Sequence, residues 1–334
     1  MNARVSEPGG TVSVVVPVHN TADRIAACLR SVAAQTLRPA EVVLVDDRGR
    51  DDAVAVARRA LSGLELPYRV VAHDRNRGAG AARNTGLTHV TGDWVWFLDS
   101  DDGAEPSFLA RMVEAGTAYG VDIVACRTRR VGPDGVAWGV DEAPWGRPVI
   151  SGAGAARLLL GNRMRAYPCN KIFRRRALPA GVFDVGRAYE DFLPVLRLLL
   201  DARRVALVDD PLYRYTANPV SVSARFGRHT FDLLDVGDDV GAELARRGLS
   251  RAWRAEHLHY RYLNVVLPLA NMALRAEHAG RRDGETRAAV AAARRRTRAL
   301  DLAMLAAAGR LRTALAGGVL KVAPGLYSRV LAHR

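Results

Sequence analysis

The sequence is poor in cysteine, lysine and aromatic residues, and it has no long apolar run. Cys28, Cys126 and Cys169 are the only cysteines in 334 residues, and their odd number and wide spacing argue against a disulfide framework and against a zinc site. No apolar run reaches the roughly 20 residues that a membrane-spanning helix needs. The start of the chain is polar and lacks an apolar signal core. We therefore expect a cytoplasmic protein.

What is present is the composition of a folded protein with an arginine excess. Hydrophobic residues make up 49% of the chain and charged residues 25%, which excludes a disordered protein. The length predicts one catalytic-sized domain with an appendage, or two domains. Lys171 and Lys321 are the only lysines, so arginine carries nearly all of the formal net charge of +14.

The positive charge is concentrated in the last quarter of the chain. Residues 245–334 hold 18 Arg and Lys against 5 Asp and Glu, and the rest of the chain is almost neutral. A basic segment of this kind can face nucleic acid, an anionic membrane surface or a phosphate-bearing acceptor. Between Gly280 and Arg312 it has no aromatic residue, which argues against a nucleic-acid reading module.

Short β-branched runs alternate with helical stretches over the first hundred residues. The predicted strands are Val12–Val16, Glu41–Val45, Tyr68–Ala72 and Trp94–Leu98, with helices at Ala22–Gln35, Asp52–Leu61 and Gly80–Thr88. The alternation predicts an α/β protein with a mainly parallel sheet. Further along we expect a strand at Val121–Arg130, helices at Ala153–Leu160 and Ala188–Leu200, short strands at Val205–Val208 and Leu212–Tyr215, and helices from about His229 on.

Polar clusters follow three of the predicted strands, at His19-Asn20, Asp46-Asp47 and Asp99-Ser100-Asp101. Because a parallel sheet binds ligands outside the carboxyl ends of its strands, we expect these clusters to converge on one edge. Asp99 and Asp101 stand at positions i and i+2 of an extended segment and therefore project to the same side. Such a pair can hold one divalent ion while substrate phosphates supply further ligands. Acidic turns that merely cap a helix are the alternative interpretation.

Two further segments carry chemistry only in context. Glu190 and Asp191 open a predicted helix, where acidic residues are ordinary start signals, although either could serve as a general base. The run from Gly78 to Arg83 follows a strand and opens a helix, as a dinucleotide-binding loop does. Arg83 stands in place of the third glycine, however, and the linker before the run is long. A nicotinamide oxidoreductase is therefore a minor alternative.

Taken in order, these motifs resemble those of glycosyltransferase family 2. The resemblance covers about residues 11–225 and rests on Val12–Asn20, Val43–Asp47, Asn76–Gly78, Ala82–Gly86, Phe97–Asp102, Cys169–Arg175, Tyr189–Asp191, Pro211–Tyr215 and Ser221–Ser223. It implies the GT-A fold, a Rossmann-like and mainly parallel central sheet flanked by helices, for residues 1–225. Residues 226–334 form a basic, mainly helical C-terminal region outside the resemblance. The family transfers a sugar from a nucleotide-activated donor, usually with inversion.

The resemblance also implies roles for single residues in donor binding and catalysis. Pro17, His19 and Asn20 would line the nucleotide pocket, Asp47 would contact the base, and Arg83 would lie near the donor's phosphates. Asp46 and Ser100 are further candidates for binding the donor. Asp99 and Asp101 would hold Mg²⁺ or Mn²⁺, and Asp191 would be the general base. Residues 48–52 read Arg-Gly-Arg-Asp-Asp where the family usually has a Gly-Ser-Thr-Asp-Gly-like turn. This departure leaves the nucleotide open, with a UDP-sugar as the expected donor.

We therefore expect a metal-dependent, inverting glycosyltransferase whose acceptor is a glycan, a lipid-linked saccharide or a small molecule. Synthesis of a cell-surface polysaccharide is the expected context, and decoration of a secondary metabolite is the alternative. A nucleic-acid-binding protein that uses the basic tail is the alternative from a different class. Without a metal, the acidic sheet edge would repel nucleic-acid phosphates, so no nucleic acid is expected as a partner.

The end of the chain combines apolar and basic residues. Apolar side chains recur at mixed three- and four-residue spacing from Val319 to Leu331, next to Lys321, Arg329 and Arg334. Pro324 should kink or split this segment. The pattern predicts peripheral contact with an anionic membrane surface at the inner face of the cell membrane. Packing on the catalytic domain or on a second subunit is the alternative.

Overall fold

The computed structural model describes residues 10–218 and 225–332, which form two compact units. The first unit comprises the residues up to Ala156, Arg165–Gly186 and Glu190–Ala217. The second comprises Arg157–Met164, Arg187–Tyr189 and the residues from Asn218 on. The motif Ser221–Ser223 and the cation Arg334 lie outside the described residues. The domain boundary after residue 225, drawn from composition, stays a prediction.

Up to Thr216 the chain alternates strands and helices before it adds a longer mixed region. In order, it forms β1 (Val12–Val18), α1 (Ile25–Ala33), β2 (Glu41–Asp46), α2 (Ala53–Ser62), β3 (Tyr68–Ala72), α3 (Ala79–Leu87), β4 (Trp94–Phe97), β5 (Gly103–Ala104), α4 (Phe108–Ala118), β6 (Ile123–Val131), β7 (Ala137–Val140), β8 (Val149–Ser151), α5 (Gly152–Leu160), β9 (Lys171–Arg174), α6 (Phe192–Asp201) and β10 (Arg204–Thr216).

In the described part of the chain, all ten strands belong to one mixed sheet of order β3-β2-β1-β4-β9-β6-β10-β5. The neighbours β3, β2, β1 and β4 run parallel, as do β6 and β10. β9 lies antiparallel between β4 and β6, while β7 pairs with β6 and β8 with β10. The predicted mainly parallel sheet flanked by helices is confirmed.

The central strands are buried on both faces, which explains their unbroken apolar sequences. Val12, Val14, Val16 and Val18 of β1 enter a core that also contains residues of α1 and α4. On the other face, α3 lies so close to β1 that a Cβ on Gly86 would stand 2.3 Å from Val15. With both faces covered, polar side chains can gather only where the strands end.

The first three βα units agree with the elements predicted from the sequence to within a few residues at their ends, and two later elements differ. The helix predicted from Ala188 begins at Phe192, because Tyr189 adopts a left-handed backbone with φ of 58° that a helix cannot accommodate. The two short strands predicted around residue 210 form the single strand β10. Its register against β6 shifts between Val208 and Tyr213, around Pro211, and this irregularity explains the interrupted apolar pattern.

The second unit is helical. It contains α7 (Asp232–Arg246), α8 (Arg254–Tyr260), α9 (Leu267–His278), α10 (Gly284–Arg296), α11 (Ala299–Ala307), α12 (Leu311–Val322) and α13 (Pro324–Ala332), and a π-helical segment, Arg261–Val266, joins α8 to α9. Pro324 splits the last segment as predicted, because it occupies the first position of α13. Within residues 10–218 and 225–332, no helix has both the length and the apolar character needed to cross a bilayer.

Candidate active site

At the carboxyl end of β2, the Asp47 side chain braces the loop that leads into α3. Its Oδ1 accepts hydrogen bonds from His73 Nδ1 (2.7 Å) and the Arg77 backbone N–H (2.8 Å), and its Oδ2 accepts one from the Gly78 N–H (2.8 Å). His73 Nε2 in turn lies 2.8 Å from the Thr85 hydroxyl. Both carboxylate oxygens of Asp47 therefore face the protein's own loop, and the side chain is only 4% exposed.

His19 and Asn20 continue this edge from the end of β1, which also carries the half-buried Pro17. His19 Nδ1 lies 3.1 Å from the Asp47 carbonyl oxygen, and its Nε2 lies 2.9 Å from Asn20 Nδ2 and 3.2 Å from Asn76 Nδ2. Asn20 adopts a left-handed backbone, with φ of 53°, and its side-chain oxygen accepts the Arg50 N–H. Imidazole and amide groups from β1 and the loop before α3 thus form one polar pocket wall.

Asp46 is the more accessible carboxylate of the pair that ends β2. Its Oδ1 accepts the Arg48 backbone N–H at 2.9 Å, and its Oδ2 lies 3.6 Å from the Arg48 guanidinium. Arg48 also has a left-handed backbone, with φ of 54°. Residues 48–52, where the chain departs from the family pattern, therefore begin with an arginine that contacts both Asp46 and the end of β3. The Arg48 guanidinium donates a hydrogen bond to the His73 carbonyl oxygen.

Arg83 of α3 is the centre of the charged cluster. Its guanidinium donates to Asp99 Oδ1 at 2.8 Å and to Glu190 Oε1 at 2.7 Å, and it lies 5.5 Å from the Phe183 ring centroid. Burial works to lower the pKa of this guanidinium, but the carboxylates of Asp99 and Glu190 outweigh it and raise the pKa further. Arg83 is 5% exposed, so these are desolvated, charge-assisted contacts rather than surface pairs.

The acidic residues of the loop after β4 differ in accessibility. Asp99 and Asp101 keep side-chain exposures of 32% and 24%, and Asp101 lies 3.6 Å from the Arg24 guanidinium. Asp102 points inward, where it accepts the Tyr213 hydroxyl and the Thr216 N–H. Ser100 is buried and accepts a hydrogen bond from the Thr21 hydroxyl at 3.0 Å. The accessible carboxylates are therefore the two that the sequence spacing selects.

A divalent cation would find oxygen ligands at this loop. Among the described residues, ligand atoms of Asp99, Asp102 and Cys169 lie within 4.8 Å of one another. Burial, followed by the charges of Asp99 and Asp102, raises the pKa of the Cys169 thiol well above its ordinary value, which keeps the sulfur protonated. Asp102 already accepts two hydrogen bonds. Asp99 and Asp101 keep the more accessible carboxylates of the loop, and a cation site formed by these two residues stays a prediction.

Asp191 stands at the start of α6 with no hydrogen bond from its side chain to the helix N-terminus. Burial, followed by the charge of Glu190, raises the pKa of its carboxyl group from 3.8 to about 7, against the opposing charge of Arg83. Glu190 is bound to the Arg83 guanidinium. The two adjacent carboxyl groups thus differ in their surroundings, since Glu190 is an ion-pair partner of Arg83 and burial raises the pKa of Asp191.

The loop before Glu190 was not singled out from the sequence, yet it positions this cluster. Asn84 exchanges two hydrogen bonds with the Phe183 backbone, at 2.8 and 2.9 Å. A Cβ on Gly80 would lie 2.0 Å from the Asp184 carbonyl oxygen. The glycine run before Arg83 therefore permits close packing of α3 against this loop. His73 and Phe183 were also missed, because their partners lie 26 and 100 residues away and no local pattern links them.

Comparison with known proteins finds similar sequences in one enzyme family. A family model described as "Glycosyl transferase family 2" matches residues 13–181. EpsH of Bacillus subtilis is 27% identical over 233 residues, which are 66% of this chain and 65% of that protein. The succinoglycan biosynthesis protein ExoO of Rhizobium meliloti is 38% identical over 136 residues, 40% of this chain and 38% of that protein. The chain thus spans less than two thirds of the length of either relative.

Two solved structures share the fold. The structure of S. aureus TarS residues 1–349 in complex with UDP-GlcNAc has a TM-score of 0.68 and 21% sequence identity, and the match covers 96% of this chain and 90% of that one. A mannosyltransferase from Pyrobaculum calidifontis in complex with GDP-Man and Mn²⁺ has a TM-score of 0.52 and 18% identity, with 97% and 91% covered. At these identities the likeness concerns the fold, which extends over nearly the whole chain.

Proposed function

Because the chain belongs to glycosyltransferase family 2 and has the GT-A fold, we propose that it transfers a sugar from a nucleoside diphosphate to an acceptor hydroxyl with inversion. The observation that carries this proposal is the cluster in which Arg83 joins Asp99 to Glu190 while the neighbouring Asp191 has a pKa of about 7. A single displacement needs an acidic loop that can hold a cation for the leaving diphosphate, and a carboxylate that can accept the acceptor's proton.

The donor nucleotide would bind at the ends of β1 and β2. This edge is lined by Pro17, His19, Asn20 and Asp46. The loop before α3, whose backbone N–H groups bind Asp47, borders it. Asp47 would act on the base or ribose mainly by holding this loop, since both of its oxygens accept internal hydrogen bonds. The similar TarS structure contains UDP-GlcNAc, which supports a UDP-sugar as the donor here.

Asp99 and Asp101 would hold a Mg²⁺ or Mn²⁺ ion together with the donor's diphosphate. Their accessible oxygens fit a hard cation, and the similar mannosyltransferase structure contains Mn²⁺. The ion would stabilise the negative charge that develops on the leaving diphosphate. Arg83 holds Asp99 in place and adds a fixed positive charge beside the phosphates, and Ser100 fixes the loop through Thr21.

Asp191 would act as the general base. An acceptor hydroxyl loses its proton as its oxygen attacks the anomeric carbon, and a carboxylate with a pKa near the working pH accepts that proton efficiently. Glu190 accepts a hydrogen bond from Arg83 and is one of the charges that raise the pKa of Asp191. Attack from the side opposite the leaving diphosphate inverts the anomeric centre.

A thermal-shift panel and an assay for release of the nucleoside diphosphate test this function together. UDP and UDP-GlcNAc should raise the melting temperature only in the presence of Mn²⁺, and GDP, NAD⁺ and a single-stranded oligonucleotide should not. A shift with NAD⁺ would support the oxidoreductase alternative, and a shift with the oligonucleotide would support the nucleic-acid alternative. Absence of any nucleotide-dependent shift would remove the basis of the proposal.

For the acceptor, we propose a growing cell-surface glycan or a lipid-linked saccharide. One similar protein is named for succinoglycan biosynthesis, which supports a polysaccharide context over decoration of a secondary metabolite. The location would then be the cytoplasmic face of the membrane, where such acceptors are presented.

The C-terminal helices offer a surface suited to that location. A groove of about 700 Å³ between α12 and α13 is lined by Leu315, Val319, Leu326, Val330 and their neighbours, with Arg312 among the lining residues. Leu315 is 67% exposed and Leu326 54%, although these helices also pack inward through the fully buried Leu320. Exposed apolar side chains within the most basic part of the chain match an anionic lipid interface, where each arginine contributes about 1 kcal/mol. Contact with a second subunit is the competing explanation for the same groove.

A further inference from the structure

Three aromatic side chains, on β7, on β10 and on the loop before β9, form a shelf together with an arginine of β6. The Tyr167 and Tyr215 rings are stacked, with centroids 5.7 Å apart and an interplanar angle of 15°. The Arg130 guanidinium lies 4.4 Å from the Tyr215 ring centroid and 6.0 Å from that of Trp138. We call these four residues, Trp138, Tyr167, Tyr215 and Arg130, the aromatic shelf.

Hydrogen bonds fix the positions of the shelf side chains. Arg130 donates to the Asp141 carboxylate at 2.8 Å and to the Tyr167 hydroxyl at 3.1 Å, so its plane is fixed against both tyrosines. The loop that carries Tyr167 is held by Lys171, whose ammonium group donates to the carbonyl oxygens of Arg165 (2.7 Å) and Tyr167 (2.9 Å). Lys171 is completely buried, and burial lowers its pKa to about 8.

Trp138, in contrast to the two tyrosines, is open to solvent. Its side chain is 65% exposed, whereas Trp94, Trp96, Trp145 and Trp253 are all at least 92% buried. An indole on a strand surface, 6.0 Å from a guanidinium that also contacts Tyr215, presents a flat apolar face beside hydrogen-bond donors. This is the composition of a site for a flat ligand with an apolar face and a hydroxylated rim.

The aromatic shelf and the proposed nucleotide site lie on opposite sides of the acidic loop. In the sheet, β1, β2 and β3 lie on one side of β4, and β9, β6 and β10 lie on the other. The acidic loop follows β4, and two residues of the β10 end hold it, since Asp102 accepts the Tyr213 hydroxyl and the Thr216 N–H. Tyr215 stands between these two anchors. Burial and then the charges of Asp102, Asp101 and Asp99 raise the pKa of Tyr215 to about 12, which agrees with this proximity.

We propose that the aromatic shelf is the acceptor subsite, and that it binds a pyranose ring of a carbohydrate acceptor by stacking on Trp138 and Tyr215. This inference rests on the proposed glycosyltransferase function. The C–H face of the sugar covers the rings, and the Arg130 guanidinium and the Tyr167 hydroxyl bind its hydroxyl groups. Donor and acceptor then approach the acidic loop from opposite directions along the sheet.

Binding of the fluorescently labelled full-length protein to an array of immobilised oligosaccharides, in the presence of UDP and Mn²⁺, tests the shelf. Wild-type protein should bind a subset of the glycans. Trp138→Ala should weaken that binding about ten-fold, because one aromatic stacking face is lost. Trp138→Phe should restore most of it. Tyr68→Ala, which removes another exposed aromatic side chain at the start of β3, should have no effect.

Donor hydrolysis separates this inference from the proposed function. Trp138→Ala should release UDP from UDP-GlcNAc in water at the wild-type rate, since the shelf does not touch the donor. Wild-type protein that binds UDP but no glycan, or Trp138→Ala that binds glycans as the wild type does, would overturn the shelf alone. Wild-type protein that neither binds UDP nor hydrolyses a UDP-sugar would overturn the proposed function itself.

Discussion

The two units handle charge in opposite ways. In the first, opposite charges are brought out of water, as in the Arg83 contacts with Asp99 and Glu190, and one carboxyl group has its pKa raised to about 7. In the second, the arginines of the most basic segment lie largely on helix surfaces, where they pair as Arg296 does with Asp238 or as Arg281 does with Glu285. Surface pairs contribute little energy, while desolvated charges set reactivity. The net charge of the sequence therefore comes mainly from the helical segment for which membrane contact is proposed, while the residues proposed for catalysis lie in the nearly neutral part.

The largest effect should come from the acidic loop of the first unit. Asp101→Ala should reduce turnover by about 10³-fold or more, because the metal ion that would stabilise the leaving diphosphate, worth several kcal/mol, would lose one of its ligands. The measurement is release of UDP at saturating donor and Mn²⁺. Asp23→Ala is the matched control, since Asp23 pairs with the same Arg24 guanidinium, at 3.3 Å. Full activity of the wild type in excess chelator would exclude the metal role.

Loss of the general base should have the next largest effect. Asp191→Asn keeps the shape of the side chain but accepts no proton at neutral pH, so kcat should fall by about 10²–10⁴-fold. The affinity for UDP, measured by calorimetry, should change less than about two-fold. Glu190→Gln is the comparison, since it breaks the ion pair to Arg83 and leaves the Asp191 carboxylate in place. An inactive Glu190→Gln with an active Asp191→Asn would mean that the two roles are reversed.

The raised pKa of Asp191 predicts opposite effects of pH on activity and on stability. Turnover should fall about ten-fold per unit below pH 7, because the protonated carboxyl group accepts no proton. Since the folded-state pKa lies above the ordinary value of 3.8, the folded state holds the proton more tightly. The stability from this group is then present at low pH and lost as the pH rises through about 7.

Melting curves of the wild type and Asp191→Asn between pH 5 and 8.5 check the stability half of this prediction. The melting temperature of the variant should rise relative to that of the wild type as the pH increases. A constant difference across this range would contradict the raised pKa.

The close approach of α3 to the loop before Glu190 should be moderately sensitive to size. Gly80→Ala places a Cβ 2.0 Å from the Asp184 carbonyl oxygen, so the loop must move, at a cost of about 1–3 kcal/mol in unfolding free energy. Gly284→Ala at the start of α10, where no atom lies within 4 Å, is the control in the second unit and should be neutral or stabilising. Urea unfolding measures both. Equal stability of the two variants would remove the packing explanation for the glycine run.

Substitutions in the groove between α12 and α13 should have the smallest effect on turnover. They also test the contrast between the two units most directly. Leu326→Glu should reduce co-sedimentation with anionic vesicles several-fold, because it places a negative charge among the lipid-facing side chains. Leu300→Glu makes the same change at a position that is 65% exposed outside the groove lining, and it should reduce binding less. Turnover with a soluble acceptor should be unchanged in both.

The salt dependence and the oligomeric state decide how that groove is used. Binding to the vesicles should weaken as salt increases. A wild-type protein that ignores anionic vesicles at low salt, or that forms a dimer which Leu326→Glu dissociates, would assign the groove to subunit contact.

The sequence was sufficient for the parts of the molecule that local pattern determines. The alternation of β-branched runs and helices predicted the β1–α3 region and the parallel strands, and the strand ends predicted that His19, Asp46 and Asp99 share an edge. Family resemblance supplied the GT-A fold. The position of β9, antiparallel between β4 and β6, could not be predicted, because four residues of strand pattern do not specify their neighbours.

Contacts between distant segments were the other limit. Asp47 was expected to face the nucleotide, yet its hydrogen-bond donors lie at residues 73, 77 and 78, and only the folded sheet brings them together. Asp102 ends the motif Phe97–Asp102, and the hydroxyl that it accepts in the interior belongs to Tyr213, 111 residues away. Whether a carboxylate is a ligand, a brace or a base depends on such partners. The spacing of the acidic residues does not contain that information.

The Asp47 brace also has a consequence for how the chain folds. Its three donors lie 26, 30 and 31 residues after it, beyond β3, the strand that pairs with β2. Burial of the Asp47 carboxylate without these donors would cost free energy. The segment that follows β3 is therefore needed to compensate a charge at the end of β2, so the free energy of unfolding of this edge depends on both strands together.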